Sequence, residues 1–297
     1  MPPRHVSLLA LGVVAVAFSS ILIRLADAPA MSIAFYRVAL AAVVVTPLAL
    51  ARHGDELRSL SRRQWAVAVV AGAFLAAHFA LWVPSLSYTT VAASTVLVTA
   101  QPAWVAVIGL ALGESVPRSV VVGIALSFVG AVVISGGDLG LSTRAAYGDA
   151  LAVLGAVTAA AYYVAGRTTR RRLSLLPYVA IAYTTAAVLL AAMVALSGRP
   201  LSGFASTTWL LFALMAIGPQ FLGHTVFNYL LAEVETSVVA IAVTAEPIGA
   251  SLLAFAVFGE VPRWTAFAGG ALILAGIYVT VAGEARRRRS LELAPIE

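Results

Sequence analysis

The chain has no cysteine and no lysine, and charged residues make up only 11% of its 297 positions. Without cysteine there is neither a disulfide framework nor a Cys-based metal site. With 61% hydrophobic residues and so little charge, a soluble chain of this size has no way to hide its apolar surface, so a soluble globular fold is excluded. Every basic residue is Arg and the formal net charge is +6. On a soluble surface that balance would suggest nucleic acid, but the arginines flank long apolar runs, so no nucleic-acid partner is expected. No Gly-rich phosphate loop occurs, which excludes nucleotide hydrolysis by this chain as the energy source. No H-E-x-x-H motif and no nucleophile-base spacing occurs either, so neither a metal nor a cofactor is expected and an enzyme is disfavoured.

What is present is a succession of apolar runs of roughly 18 to 25 residues, long enough to cross a bilayer as helices. They give ten predicted spans, at about 6–26, 30–51, 64–83, 89–112 and 117–136, then 147–166, 175–197, 207–231, 236–258 and 263–283. Helix-punctuating residues separate them: Ala28-Pro29, the charged stretch from Arg52 to Arg63, Val83-Pro84, Gly136-Gly137 and Gly198-Arg199-Pro200. The expected organisation is a first repeat over residues 1–140, a second over 141–285, and a basic then acidic tail over 286–297. Arg4, the first apolar run and Ala26-Asp27-Ala28 together resemble a signal peptide. That run exceeds the roughly 7 to 15 residues of a signal core, and its removal would break the duplication described next, so it reads as a retained span.

The duplication is explicit. Gln101-Pro102, Gly113-Glu114 and Pro117-Arg118 reappear as Glu246-Pro247, Gly259-Glu260 and Pro262-Arg263, an offset of about 146 residues. Arginines near span ends are retained on the cytoplasmic side of a membrane. With the N-terminus inside, fourteen of them lie in cytoplasmic segments: Arg4, Arg52, Arg58, Arg62, Arg63, Arg118, Arg167, Arg170, Arg171, Arg172 and Arg286 to Arg289. Four lie outside, at Arg24, Arg144, Arg199 and Arg263. Both termini are therefore expected in the cytoplasm, in the cytoplasmic membrane. Five spans per half is an odd number, so the second half enters the membrane from the opposite face. The expected fold is all-α, two inverted five-helix repeats around a central cavity.

Ionisable groups inside spans cost about 2.5 to 3.5 kcal/mol each on insertion scales, which makes them functional candidates. Glu246 lies near the middle of span 9. It reads either as the acceptor for a substrate amine or a proton, or as a structural group bonded to a neighbouring helix. Pro247 and Pro102 are read as helix kinks that displace the carbonyls of Val243 and Val98 toward a polar cavity. Arg37 lies about 10 Å inside span 2 by helical rise. Its planar fork suits a carboxylate or phosphate, and the alternative is a structural pair with Glu246 or with helix-end carbonyls. Its counterpart in the second half is near Tyr183. His78 and His224 correspond at an offset of 146, and counting from span ends places them toward opposite faces, as gate or proton-relay residues or as interhelical hydrogen-bonding groups. At such different depths they make a poor metal site. Gln101 and Asn228 complete the polar set.

Trp82, Tyr88, Trp104, Tyr162, Tyr163, Tyr183, Phe227 and Tyr229 are candidates to line a cavity, whereas Trp65, Trp209 and Trp264 at span starts fit an interfacial belt. Gly123 and Gly130 in span 5 recur as Gly269 and Gly276 in span 10. Seven-residue spacing puts each pair on one helix face, where small residues allow close packing, within the chain or in a homodimer.

The ten spans, the "SSILIRLA" closing span 1, the "FYR" of span 2 and the two polar-Pro to Gly-Glu segments together resemble the EamA family of drug/metabolite transporters, over nearly the whole chain. Many relatives carry Trp late in the first helix, where this chain has Phe18. The resemblance implies two inverted five-helix repeats and export of amino acids or related metabolites. The expected function is secondary transport of a small polar or amphipathic metabolite by alternating access across the lipid bilayer, with proton coupling a candidate. The site is expected to be lined by Arg37, His78, Trp82, Gln101, Tyr183, His224, Asn228 and Glu246. The alternatives are an intramembrane enzyme acting on a lipid or peptide, and an assembly protein with no substrate path.

Overall fold

A computed structural model describes residues 3–113, 118–139, 142–170, 173–233, 242–243 and 245–292. Among them every regular element is helical. The first half holds α1 (Pro3–Leu25), α2 (Ala30–Ser59), α3 (Arg62–Ser85), α4 (Val91–Val98), α5 (Gln101–Ala111) and α6 (Arg118–Leu139). The second holds α7 (Thr143–Arg170), α8 (Leu175–Leu196), α9 (Ser206–Met215), a π-helix (Ala216–Thr225), α10 (Val226–Glu233), α11 (Glu246–Phe258) and α12 (Trp264–Glu292). Helices α4 and α5 together form one span, Val91–Ala111, and α9 with the π-helix and most of α10 forms another, Ser206–Leu230. Of the described helices, seven are long and apolar enough to cross a membrane, and three shorter apolar ones complete the expected spans 5, 9 and 10. Glu114, Pro117, Arg171, Arg172 and positions 236–241 of expected span 9 lie outside the described residues.

Several boundaries differ from expectation. Helix α2 continues to Ser59, across a non-helical His53 (φ −135°, ψ 26°). Helix α3 runs through Pro84 to Ser85, where proline in the final turn interrupts little. Gly136-Gly137 does not end α6, which reaches Leu139. Each glycine costs about 1 kcal/mol relative to alanine, but a backbone leaving the helix within a bilayer loses hydrogen bonds worth more. The start of α3 is fixed by a capping box: the Ser61 hydroxyl accepts from the Gln64 amide at 3.3 Å, and the Gln64 side chain accepts from the Ser61 amide at 2.9 Å.

The helix pairings reveal the symmetry. The most extensive are α6 with α12, α3 with α7, and α2 with α8, that is spans 5 with 10, 3 with 6, and 2 with 7. Exchanging the halves maps the first and third onto themselves. It maps span 3 with 6 onto span 8 with 1, and α1 does pack against the π-helix of span 8. Likewise α1 packs on α11 as α7 packs on α4 and α5. A pseudo-two-fold axis relates two inverted halves.

Glycine makes the span 5–span 10 pairing possible. A Cβ on Gly130 would lie 2.5 Å from the Gly269 carbonyl oxygen, and one on Gly276 would lie 2.4 Å from that of Gly123. The four glycines of the repeat thus face each other within one chain.

Cross-half contacts tie each end. At one end the Arg24 guanidinium bonds Glu260 at 2.7 Å, whose other oxygen accepts from the Val91 amide at 2.7 Å. Gly259, with φ 66°, takes the left-handed cap that ends α11 and aims Glu260 there. Arg144 donates to the Ser87 carbonyl at 3.0 Å, Ser32 to the Pro200 carbonyl at 2.8 Å, and Tyr36 to the Leu201 carbonyl. These residues belong to the segments that ten alternating spans bring to one face. At the opposite end Glu56 accepts from the Ser174 amide at 2.7 Å, joining the loop after span 2 to the loop after span 6.

Candidate functional site at the centre of the bundle

Two helix breaks build the site. Helix α4 stops at Val98, residues Thr99 and Ala100 form a turn, and α5 restarts at Gln101 with Pro102 in its first turn. Similarly, Ala245 is in a turn and α11 starts at Glu246 with Pro247 in its first turn. The prolines therefore open new helices rather than bend continuous ones. The reason is local: in a first turn the amide that proline lacks would have no partner anyway, and its fixed φ suits the helix. Gln101 and Glu246 consequently sit at half-helix N-termini, where the positive end of the helix dipole favours negative charge.

Between the halves lies a narrow cavity of about 40 Å³. Ser19 from α1, His78 from α3, Gln101, Tyr163 from α7, His224 from the π-helix and Glu246 give it a polar wall. Trp82, Phe227, Val98 and Val243 add apolar surface, Val98 being the last residue of α4. Of the residues expected at the site, His78, Trp82, Gln101, His224 and Glu246 line this space, and Arg37, Tyr183 and Asn228 do not.

Arg37 is fully buried behind the wall. Its Nη1 donates to Ser19 Oγ at 3.0 Å and its Nη2 to Gln220 Oε1 at 3.3 Å. Its guanidinium carbon lies 4.1 Å from the Phe79 ring centre, a cation-π contact worth about 2 kcal/mol when desolvated. Arg37 Nε has no hydrogen-bond partner among the described residues. Arg37 and Glu246 form no ion pair with each other. Because Ser19 Oγ accepts from Arg37, its own proton is left to donate into the cavity.

The two histidines meet, which corrects their placement at opposite depths. Their ring centres are 6.4 Å apart, edge to face, with His78 stacked on Trp82 at 5.8 Å. Residues equivalent under an inverted repeat touch only at the symmetry axis, and both lie there. The π-helix in span 8, with more residues per turn, adds a part of the discrepancy, since its residues advance less along the axis than counting assumes. His78 Nδ1 is 2.9 Å from the Gly155 carbonyl, which only accepts, so that nitrogen carries the proton. Among the described residues no third His, Cys, Asp or Glu joins the pair in a metal-sized group.

Tyr183 and Asn228 support the site from behind. The Tyr183 and Thr225 hydroxyls share a 2.9 Å bond, and Thr225 also donates to the Gln220 carbonyl, five residues back, at 3.1 Å. Asn228 donates to Tyr162 and to the His224 carbonyl, each at 2.9 Å. Sequence reasoning missed Ser19 and Gln220. The Pro219-Gln220 pair in an apolar span was a usable signal, being the same polar-proline combination in reverse order.

Helical spans in two inverted halves, with broken helices facing a polar cavity between them, define a multi-pass membrane protein built as transporters are. Comparison with known proteins agrees. The model of the EamA-like transporter family matches residues 4–136 and again residues 146–282. The chain belongs to this family, within the drug/metabolite transporter superfamily. An uncharacterized transporter of Archaeoglobus fulgidus is 28% identical over 270 residues, spanning 89% of this chain and 92% of its own. A solved crystal structure superposes with a TM-score of 0.67 at 18% identity, covering 93% of this chain and 96% of the other, a likeness of fold.

Proposed function

We propose that this transporter exports a small amphipathic metabolite bearing an amine, such as an amino acid, across the cytoplasmic membrane by alternating access. The observation that carries the reading is the Glu246 carboxyl group on the cavity wall, which is in no salt bridge among the described residues, the Arg37 guanidinium near it being held by Ser19 and Gln220 instead. An ammonium group supplies the missing charge. The opposite pole of the substrate meets the Ser19 hydroxyl polarised by Arg37 and the positive end of the α5 dipole. A fully buried Arg37 thus acts through Ser19, holding positive potential beside the cavity without blocking it. The arginine distribution favours both termini in the cytoplasm, so the end closed by Arg24 and Glu260 is the outer one. A cavity reaching Glu246 speaks against a scaffold with dry polar packing.

The test uses proteoliposomes loaded with candidate amino acids under an imposed pH gradient. Efflux that responds to the gradient in the wild type and loses that response in Glu246→Gln supports proton and amine competing for one carboxylate. An unchanged response in the variant removes Glu246 from coupling, and unchanged transport removes it from the site.

A further inference from the structure

Among the described residues, an apolar groove wider than the central cavity lies on the surface turned to the bilayer. It has a volume of about 370 Å³ and is walled by α4, α11 and α12, with Val96, Leu252, Phe255, Phe267 and Leu274 along it. Leu252, Phe255 and Phe267 are each more than half exposed, with no protein partner over them. A second groove, of about 220 Å³, lies along α5 and α6 in the first half, where Ala103, Val107, Ile124 and Phe128 stand at the positions equivalent to Ile248, Leu252, Gly270 and Leu274.

Three observations set the first groove apart. It touches the central cavity: Thr99, in the turn that breaks span 4, lines both spaces, and the neighbours Glu246 and Pro247 line one each. Thr99 is thus common to the lipid-facing groove and the site. The repeats also lose their symmetry here twice. Gly270 on this groove corresponds to Ile124 on the other, just as Glu246 corresponds to Gln101. Finally, Gly270 is not needed for packing. A Cβ there would come no nearer than 3.7 Å to Val96, an ordinary contact, unlike the 2.4 Å clash at Gly276 in the same helix. The glycine keeps the groove open, on the same half that carries the carboxylate.

We propose that this groove is a side entrance from the bilayer, which holds the hydrocarbon part of an amphipathic amine while its ammonium sits at Glu246. The proposal rests on the reading of Glu246 as the amine acceptor and narrows the substrate to molecules with a substantial apolar portion. Entry occurs where α4 gives way to α5, because a broken helix moves aside without unravelling a continuous hydrogen-bond ladder.

The experiment uses the full chain in lipid nanodiscs and n-decylammonium with a diazirine at the chain terminus, with labelled peptides mapped by mass spectrometry. Labelling is expected to concentrate on segments 248–255 and 266–274. It should fall roughly tenfold in Glu246→Gln, the loss of one charge-assisted contact, and similarly in Gly270→Leu, which fills the groove. Ser251→Leu, which narrows the same groove from α11, replaces Gly270→Leu if that variant does not fold. Labelling spread equally over both grooves, or unchanged in Glu246→Gln, overturns the proposal and identifies a plain lipid contact. Glu246-dependent labelling confined to the cavity, at Trp82 or Tyr163, overturns the side entrance but leaves the amine site standing. Labelling that nowhere depends on Glu246 overturns both.

Discussion

Gly276→Ala and Gly270→Ala are the same chemical change in one helix, six residues apart, and the structure separates their outcomes. At Gly276 the new methyl would sit 2.4 Å from the Gly123 carbonyl oxygen, 2.6 Å from Ser127 Oγ and 3.0 Å from the Ser127 nitrogen. Two of these are backbone atoms of α6, so the helices themselves must part, locally by about 1 Å, to restore van der Waals distance. A gap of that size forfeits up to about half of the dispersion energy of the atoms involved, and overpacking of this kind costs about 1 to 3 kcal/mol. At Gly270 the methyl meets Val96 at 3.7 Å, and the substitution gains helix propensity of up to about 1 kcal/mol. Gly276→Ala gains the same propensity, so that contribution cancels and the expected difference between the two variants is the overpacking cost, about 2 kcal/mol. Equilibrium unfolding in mixed micelles measures it. Gly130→Ala, 2.5 Å from the Gly269 oxygen, should match Gly276→Ala. The double variant should lose less than the two together, because helices already parted accommodate a second methyl. Equal stability of Gly276→Ala and Gly270→Ala would refute the packing argument.

Arg37→Met removes the cation but strands Gln220 Oε1 and Ser19 in the interior, and should cost about 2 kcal/mol in the same unfolding assay. Arg37→Lys should recover only part of it, since an ammonium lacks the planar fork that reaches both partners. Ser61→Ala dismantles the capping box of α3 and should cost about 1 kcal/mol, with no change in substrate affinity measured by ligand-induced stabilisation. Glu260→Gln should weaken the partly exposed clasp to Arg24 by about 1 kcal/mol. The absence of native cysteine lets a single introduced Cys at Ser87 report this as faster labelling by a membrane-impermeant thiol reagent.

Much of this architecture was legible in the chain because a bilayer enforces simple rules. Apolar run length fixes where spans lie, and the offset between Gln101-Pro102 and Glu246-Pro247 marks the repeat. Pairing of the four glycines was readable from spacing, though not that the partners lie in one chain. Depth was not readable for His78 and His224, because it depends on the π-helix at Ala216–Thr225 and on where the symmetry axis falls. The role of Arg37 was also hidden. A lone cation in a span invites an anionic partner, and the structure satisfies it with Ser19, Gln220 and the Phe79 ring, neutral groups whose tertiary neighbourhood no linear pattern encodes. Polar lining residues in short side chains, such as Ser19, carry no periodic signal at all.

The most extensive helix pairings, α6 with α12, α3 with α7 and α2 with α8, all join one half to the other. A repeat in sequence is thus not a unit of folding. During synthesis the first five spans enter the membrane with their main partners still unmade, and the Gly130 face of α6 waits for α12, the last helix described. Assembly is completed only when the final span arrives. The chain cut between residues 139 and 143 and expressed as two pieces should accumulate when both are made together and be degraded when either is made alone.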